Sequence, residues 1–401
     1  MADHSLGTAW RSVDNAPVIK GAYGTVLRLF STVNHRRWRI LDVLILLACL
    51  VLGGWAIQFW FLPTHLIQTF RIGQYVSAVA ISPNQQTIVA AGMNRNKTHP
   101  QVAIWETRTH RLQHVLPQTC YASALAIDPT SQILSVATGD GAVTLWDLTS
   151  GTQIRQLIPP QPWDAPLDKC HSINMSDGRD IYKLTFHPQG HLLAIAGMSG
   201  VRLIALDTGA SVADLTGYHR YPENPDGLGA PVWDVAFSPD GDLLASVGSD
   251  STAHIWFVPE GRLMQVISPP ELRGNAYRVR FCAHAPCVII AWDLPQTIET
   301  WSVDTGQRMA QMNPRQPQTS GRSRAFSPDG TLVARSYVPD NVGFPLFVDM
   351  RMYIYTLDPL HERAILRGHR DVVTAMTFSQ DGSRLVSGSK NGTVRLWRLA
   401  E

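Results

Sequence analysis

From about residue 74 onward, short apolar runs alternate with polar turns in a repeating order. The first run of each unit alternates apolar and polar positions and then turns: AVAISPNQ, ALAIDPTSQ, KLTFHPQG, DVAFSPDG, RVRFCAHA, SRAFSPDG and AMTFSQDG. A run of small and β-branched residues follows: TIVAAG, ILSVATG, LLAIAG, LLASVG, CVIIAW, TLVARS and RLVSGS. A third run closes on an aromatic, as in QVAIW, AVTLW, TAHIW, TIETW and TVRLW. Then come a polar turn such as DLTSG or SVDTG and a fourth run such as TQIRQLI or RLMQVI. Period-two alternation bounded by turn residues predicts strands, and four in succession predict one antiparallel sheet per unit.

The aromatics that close the third runs are Trp105, Trp146, Trp256, Trp301 and Trp397. The two long gaps between them each hold a degenerate copy. VRLIALD is read with Leu206 at the Trp position, and RMYIYTLD with Tyr355 there. The seven positions then lie 41 to 60 residues apart. A recurring period of about 45 residues marks a repeat architecture.

These units resemble WD repeats, the family that builds β-propellers. The likeness covers residues 64–401 and is best in the last unit, with Gly368-His369 ahead of FSQDGSRLVSGSKNGTVRLW, and in the fourth, FSPDGDLLASVGSDSTAHIW. It implies a turn acid six residues before the Trp, which falls on Asp140 and Asp250, on Asn391 in blade seven, and on Asp349 before Tyr355. It also implies a His–Ser/Thr–Trp hydrogen-bond brace inside each blade. Only blade seven keeps the Gly-His pair at His369, so most blades are expected to lack the full network. The chain stops on a third strand, RLWRLAE, while THLIQTFRIG (64–73) reads like a fourth strand. It is expected to be the outer strand of the last blade, closing the ring and covering an open sheet edge.

Ahead of the repeats stands ILDVLILLACLVLGGWAIQFWFL, residues 40–62, whose only ionisable side chains are Asp42 and Cys49. Twenty-three residues at about 1.5 Å each reach roughly 34 Å, the thickness of a bilayer core. Trp55, Phe59, Trp60 and Phe61 gather at its far end like an interfacial aromatic belt. Residues 1–39 hold six Lys or Arg against Asp3 and Asp14, a net +4, while the whole chain is +2, which leaves −2 for the rest. Thirty-nine residues are too many for a signal-peptide n-region, and the apolar run continues past the lipoprotein-like LLAC. The expectation is an uncleaved signal anchor. Arg36, Arg37 and Arg39 abut its N-terminal end, and the next cation is Arg71. The positive-inside rule then gives a basic cytoplasmic segment (1–39), a transmembrane helix (40–62) and a propeller (63–401) on the periplasmic or extracytoplasmic side. The whole reads as an all-β, seven-bladed WD-repeat β-propeller preceded by one transmembrane α-helix, with the rim bearing the third-to-fourth-strand turns nearest the lipid.

Composition fits this picture: 45% apolar, 16% charged, and 56 Gly and Pro together exclude a disordered chain and a long coiled coil. The near-neutral total offers no field for nucleic acid. The long insertions are 161–180, 218–231, 313–323, 93–100 and 337–349, all expected on the top face. Trp163, Tyr218, Tyr221, Tyr337 and Phe344 are the partner-binding candidates there. Chemistry is sparse. There is no phosphate loop, HExxH, GxSxG or paired CxxC, and the 14 His are dispersed. No catalytic residue, metal ligand or cofactor is assigned. Cys282 and Cys287 flank the hairpin AHAP and are a disulfide candidate, as are Cys120 and Cys170.

The expected function is a non-catalytic scaffold for protein–protein interaction, an accessory subunit of a larger membrane complex. Its partners would be other membrane or envelope proteins and the bilayer itself. Two alternatives stand beside it: a propeller enzyme or small-ligand receptor using the central channel, and a cytosol-facing signalling scaffold of reversed topology.

Overall fold

The computed structural model describes residues 65–94, 99–160, 180–215, 219, 229–269, 274–293, 297–312, 323–337 and 350–399. All belong to the unit Pro63–Glu401. The predicted span 40–62, with Arg36, Arg37, Arg39, Trp55 and Trp60, lies outside the described residues. Among the described residues no helix is long and apolar enough to cross a membrane.

Among the described residues, twenty-eight strands form seven four-stranded sheets, each antiparallel throughout. Blades one to six occupy residues 75–117, 122–158, 181–215, 232–267, 276–312 and 324–369. Blade seven takes its three inner strands from 373–398 and its outer strand from Leu66–Arg71. That outer strand pairs antiparallel with Thr393–Arg398, Leu66 opposite Trp397 and Arg71 opposite Thr393. The innermost strand of every sheet touches that of the next blade, and blade seven touches blade one, so the ring is closed.

Position in the sheet explains the hydrophobic pattern. Second strands such as Leu192–Gly197 and Cys287–Trp292 are buried along their whole length. Both faces of each sheet are covered by neighbouring blades, so these runs are continuously apolar rather than alternating. Outer strands have fewer neighbours; in Gln153–Ile158 the first four residues are exposed. Apolar clusters straddle adjacent blades: Val247 and Ile255 of blade four pack with Val279, Val288 and Trp292 of blade five. The first turn of each blade is also specified locally. In blade four Ser238 Oγ donates to Asp240 (2.5 Å) and accepts from the Leu243 amide (2.9 Å). Gly241 follows at φ +89°, where a Cβ would stand 2.1 Å from His187 Nε2 of blade three.

Register corrects one assignment. The Trp position faces a fixed second-strand residue: Ile88 opposite Trp105, Leu134 opposite Trp146, Leu244 opposite Trp256, Val288 opposite Trp301 and Val333 opposite Tyr355. In blade three the equivalent pair is Leu193 and Ile204. Ile204 also carries the bulge against the outer strand that precedes Trp105, Trp256 and Tyr355. Leu206 lies two residues later, in the turn. The misleading feature is Asp207, which follows Ile204 by three residues, as Asp304 follows Trp301. Leu206-Asp207 therefore mimics a Trp-Asp pair without occupying its place.

Candidate functional site

Of the predicted top-face aromatics, Trp163, Tyr218, Tyr221 and Phe344 lie outside the described residues, as do Asp349 and Cys170. Tyr337 is half-buried, its ring edge-on to Tyr353 at 6.2 Å. The sulfurs of Cys282 and Cys287 are bonded, with Cα atoms 5.4 Å apart. Cys120 is disulfide-bonded as well.

The blades divide by how the closing indole is held. In blade four the Trp256 N–H donates to Ser246 Oγ (2.9 Å). Ser246 lies 2.9 Å from His219 Nε2, and His219 Nδ1 lies 3.0 Å from Asp250. The consistent assignment has Ser246 donating to His219 and His219 donating to the carboxylate, so Ser246 and His219 each both give and receive. Blade seven repeats the chain: Trp397 to Ser387 (2.7 Å), Ser387 to His369 (2.7 Å), and Asn391 reached through Thr393 (2.7 Å). Val136 and Ile290 occupy the Ser246 position in blades two and five. With no hydroxyl there, the indole turns to its own strand. Trp146 donates to Thr144 (2.8 Å), and Trp301 donates to the buried Glu299 (3.0 Å), which also holds Arg308 (3.1 Å). Asp140 serves its turn alone, accepting from Thr138 (2.6 Å).

His219, Asp250 and His254 bring three ligand-type atoms within 4.8 Å of one another, all buried. The two imidazoles are stacked, 4.0 Å apart and 19° from parallel. In-plane lone pairs on near-parallel rings do not converge on one point, and His219 Nδ1 is already spent on Asp250. This trio is a brace rather than a ligand set. Burial, with His219 beside it, pulls His254 down to about 3, against the opposing pull of Asp250. Burial, with Arg395 adding to it, does the same to His369, also to about 3.

The arrangement with most capacity for recognition is where the first strands converge. Each of these strands except that of blade six carries a bulge one residue in. In blades seven, one and two the bulged residues are Thr374, Ser77 and Ser123. Two of them bond the next blade's backbone: Thr374 to Val76 O and Ser77 to Ala122 O, both 2.6 Å. In blades three, four and five the same position holds Tyr182, Trp233 and Tyr277, whose rings follow one another at 4.5 and 5.6 Å. The next residue is Ala375, Ala78 or Ala124 on the first side, but Lys183, Asp234 or Arg278 on the second.

On that second side Lys183 Nζ lies 3.9 Å and Arg280 4.0 Å from Asp234, which is 1% exposed and also accepts from the Val279 amide (3.1 Å). Arg278 donates to the Arg324 carbonyl (3.0 Å), and Arg324 to that of Trp292 (2.9 Å). Lys183 and Arg280 thus share Asp234, while among the described residues Arg278 and Arg324 form no salt bridge. Burial lowers the Lys183 ammonium to about 8, with Asp234 opposing and Arg280 and Arg278 assisting. Burial and Arg335 likewise lower Arg324 to about 10. An aromatic wall above uncompensated cations suits a flat or extended ligand carrying carboxylates. These residues lie in strands that the pattern identified, and the signal available was a charge at the start of otherwise apolar runs.

Two stretches of the chain, residues 225–256 and 360–398, match the family described as WD domain, G-beta repeat. They cover the inner strands of blades four and seven, which carry the complete Trp–Ser–His chain, and the second also takes in the outer strand of blade six. The chain is 26% identical to apoptotic protease-activating factor 1 of Homo sapiens over 174 residues, 42% of this chain and 12% of that one. It is 24% identical to WD repeat-containing protein 90 of Homo sapiens over 352 residues, 75% of this chain and 19% of that protein. It is 33% identical to coronin-7 of Rattus norvegicus over 132 residues, 29% of this chain and 14% of the relative. The chain thus spans less than a fifth of the length of these curated relatives. It carries WD40 repeats arranged as a seven-bladed propeller.

Proposed function

We propose that this chain is a single-pass membrane protein whose propeller, outside the cytoplasm, acts as a non-catalytic scaffold within a larger membrane complex. The observation that carries the scaffold reading is the one-sided inner ring. Three aromatics in contact with one another and the cations Lys183, Arg278, Arg280 and Arg324 stand on one side, small residues on the other. That surface suits an acidic segment of a partner protein. The anchor rests on the apolar run 40–62 and on Arg36, Arg37 and Arg39 beside it. The Cys282–Cys287 bond suits an oxidising compartment. A small-ligand receptor at the same ring is the second reading, favoured by the row of tilted rings Tyr182, Trp233 and Tyr277.

The test is gentle detergent extraction followed by mass spectrometry of co-purifying proteins, for the native chain and for Lys183→Gln/Arg280→Gln. A partner retained by the native chain and lost from the variant is expected. A lone monomer at every detergent strength overturns the scaffold. Protease added to inverted membrane vesicles is expected to leave the propeller intact; digestion there assigns the reversed topology.

A further inference from the structure

A second charged site lies where the ring closes. Between blades seven and one, at the end carrying the first turn of each blade, is a cleft of about 570 Å³. Its walls come from distant parts of the chain: the first turns of blades one and seven, the third-to-fourth turn of blade one, and the closing strand at Ile67. Arg108, Arg384 and Arg398 line it. Among the described residues none of the three is in an ion pair.

Among the described residues the one carboxylate lining the cleft, Asp381, is committed to its own turn. It accepts from Ser379 Oγ (2.6 Å), the Ser383 amide (3.0 Å) and Ser383 Oγ (2.7 Å). Burial raises its pKa, but these bonds and one from Gln85 outweigh that and hold it well below the usual carboxylate range. It therefore stays charged and offsets one of the three arginines at most. Thr107 is a separate indication. It lines the cleft, is 6% exposed, and its hydroxyl has no hydrogen-bond partner. A buried hydroxyl left unpaired is destabilising, so a ligand that accepts from it gains by doing so.

We propose that this seam cleft binds a phosphate group. Three guanidinium groups against one carboxylate leave two positive charges, enough for the single charge of a phosphodiester or the two of a phosphomonoester. Arginine's planar fork matches phosphate oxygens, and the Thr107 hydroxyl adds a donor from the wall. The phosphate belongs to an anionic lipid headgroup or to a soluble phosphate ester; the chemistry at the cleft is the same. The lipid source rests on the membrane reading, because the closing strand that forms one wall begins four residues after the apolar run ends.

The test uses the full chain in a non-ionic detergent, with glycerol phosphate as the soluble probe and nanodiscs containing phosphatidylglycerol as the lipid probe. Calorimetric binding of at least one probe is expected, weakened about tenfold by any one of Arg108→Gln, Arg384→Gln or Arg398→Gln. Thr107→Val, which changes no charge, is expected to weaken it severalfold. Binding of glycerol phosphate without phosphatidylglycerol assigns the soluble source; the reverse assigns the headgroup. Lack of binding to both probes, or equal binding by native and triple-arginine variant with matching melting temperatures, overturns the proposal. Because glycerol phosphate needs no bilayer, this outcome is separate from the fate of the anchor.

Discussion

Blades four and seven hold their closing indole through a relay that reaches across the sheet, whereas blades two and five hold theirs within a single strand. In blade four the relay joins the link before the blade (His219), the second strand (Ser246), the second-to-third turn (Asp250) and the third strand (Trp256). In blade two, Thr144 and Trp146 are neighbours on one strand and brace nothing else. Both kinds of blade have the same strand order and register. Apolar contact between neighbouring sheets therefore suffices to build a blade, and the relay adds stiffness and specificity on top.

The largest separation between the two kinds should come from removing the indole. Trp256 and Trp397 are fully buried, while Trp146 is only partly so. Trp256→Ala or Trp397→Ala should cost about 3–5 kcal/mol, and Trp146→Ala clearly less, read from urea midpoints. Equal losses would end the distinction.

Acid should come next. His254 of blade four and His369, which ends the outer strand of blade six and reaches into blade seven, are held neutral, each with a folded pKa of about 3 against an ordinary 6.5. Both are uncharged in folded and unfolded chains above pH 6.5, so they contribute no pH dependence there. As pH falls from 6.5 toward 3 the unfolded chain binds protons that the folded one refuses, and stability is lost by about 1.4 kcal/mol per pH unit for each. Melting temperatures across that window should fall steeply, and His369→Gln should flatten the slope. An unchanged slope in that variant would place the titration elsewhere.

The smallest effect should come from single hydroxyls. Ser246→Ala strands both the indole and the imidazole and should cost about 2 kcal/mol, whereas Thr144→Ala strands one indole and should cost about 1 kcal/mol. Comparison of the two denaturation curves decides whether the relay acts as a unit.

Much of this was readable in the chain. Period-two runs and turn residues defined the strands, because each position's neighbours along the strand fix its face. Tyr355 could be placed, since Arg351–Tyr355 keeps the alternation; Ile204 could not, because register rather than spacing identifies it. His219 escaped because it lies 13 residues before its blade's first strand, against four for His369. Ser246, Asp250 and Trp256 in their family places were the clue that an imidazole was owed. The inner-ring charges were visible, but only the bulges show that Lys183, Asp234 and Arg278 share one level of the ring. The seam cleft was out of reach altogether, because it depends on residue 107 meeting residue 398.

Closure of the ring by Leu66–Arg71 has a consequence in time. That strand leaves the ribosome 322 residues before its partner Thr393 (393 − 71). At roughly 5–20 residues per second it waits tens of seconds with its edge unpaired. Throughout that interval the growing chain is an open arc with a free sheet edge at one end and a single strand at the other. The protein's exposure to misassembly is thus concentrated before the last blade is made, and its final folding step joins two of the most widely separated segments of the repeat region.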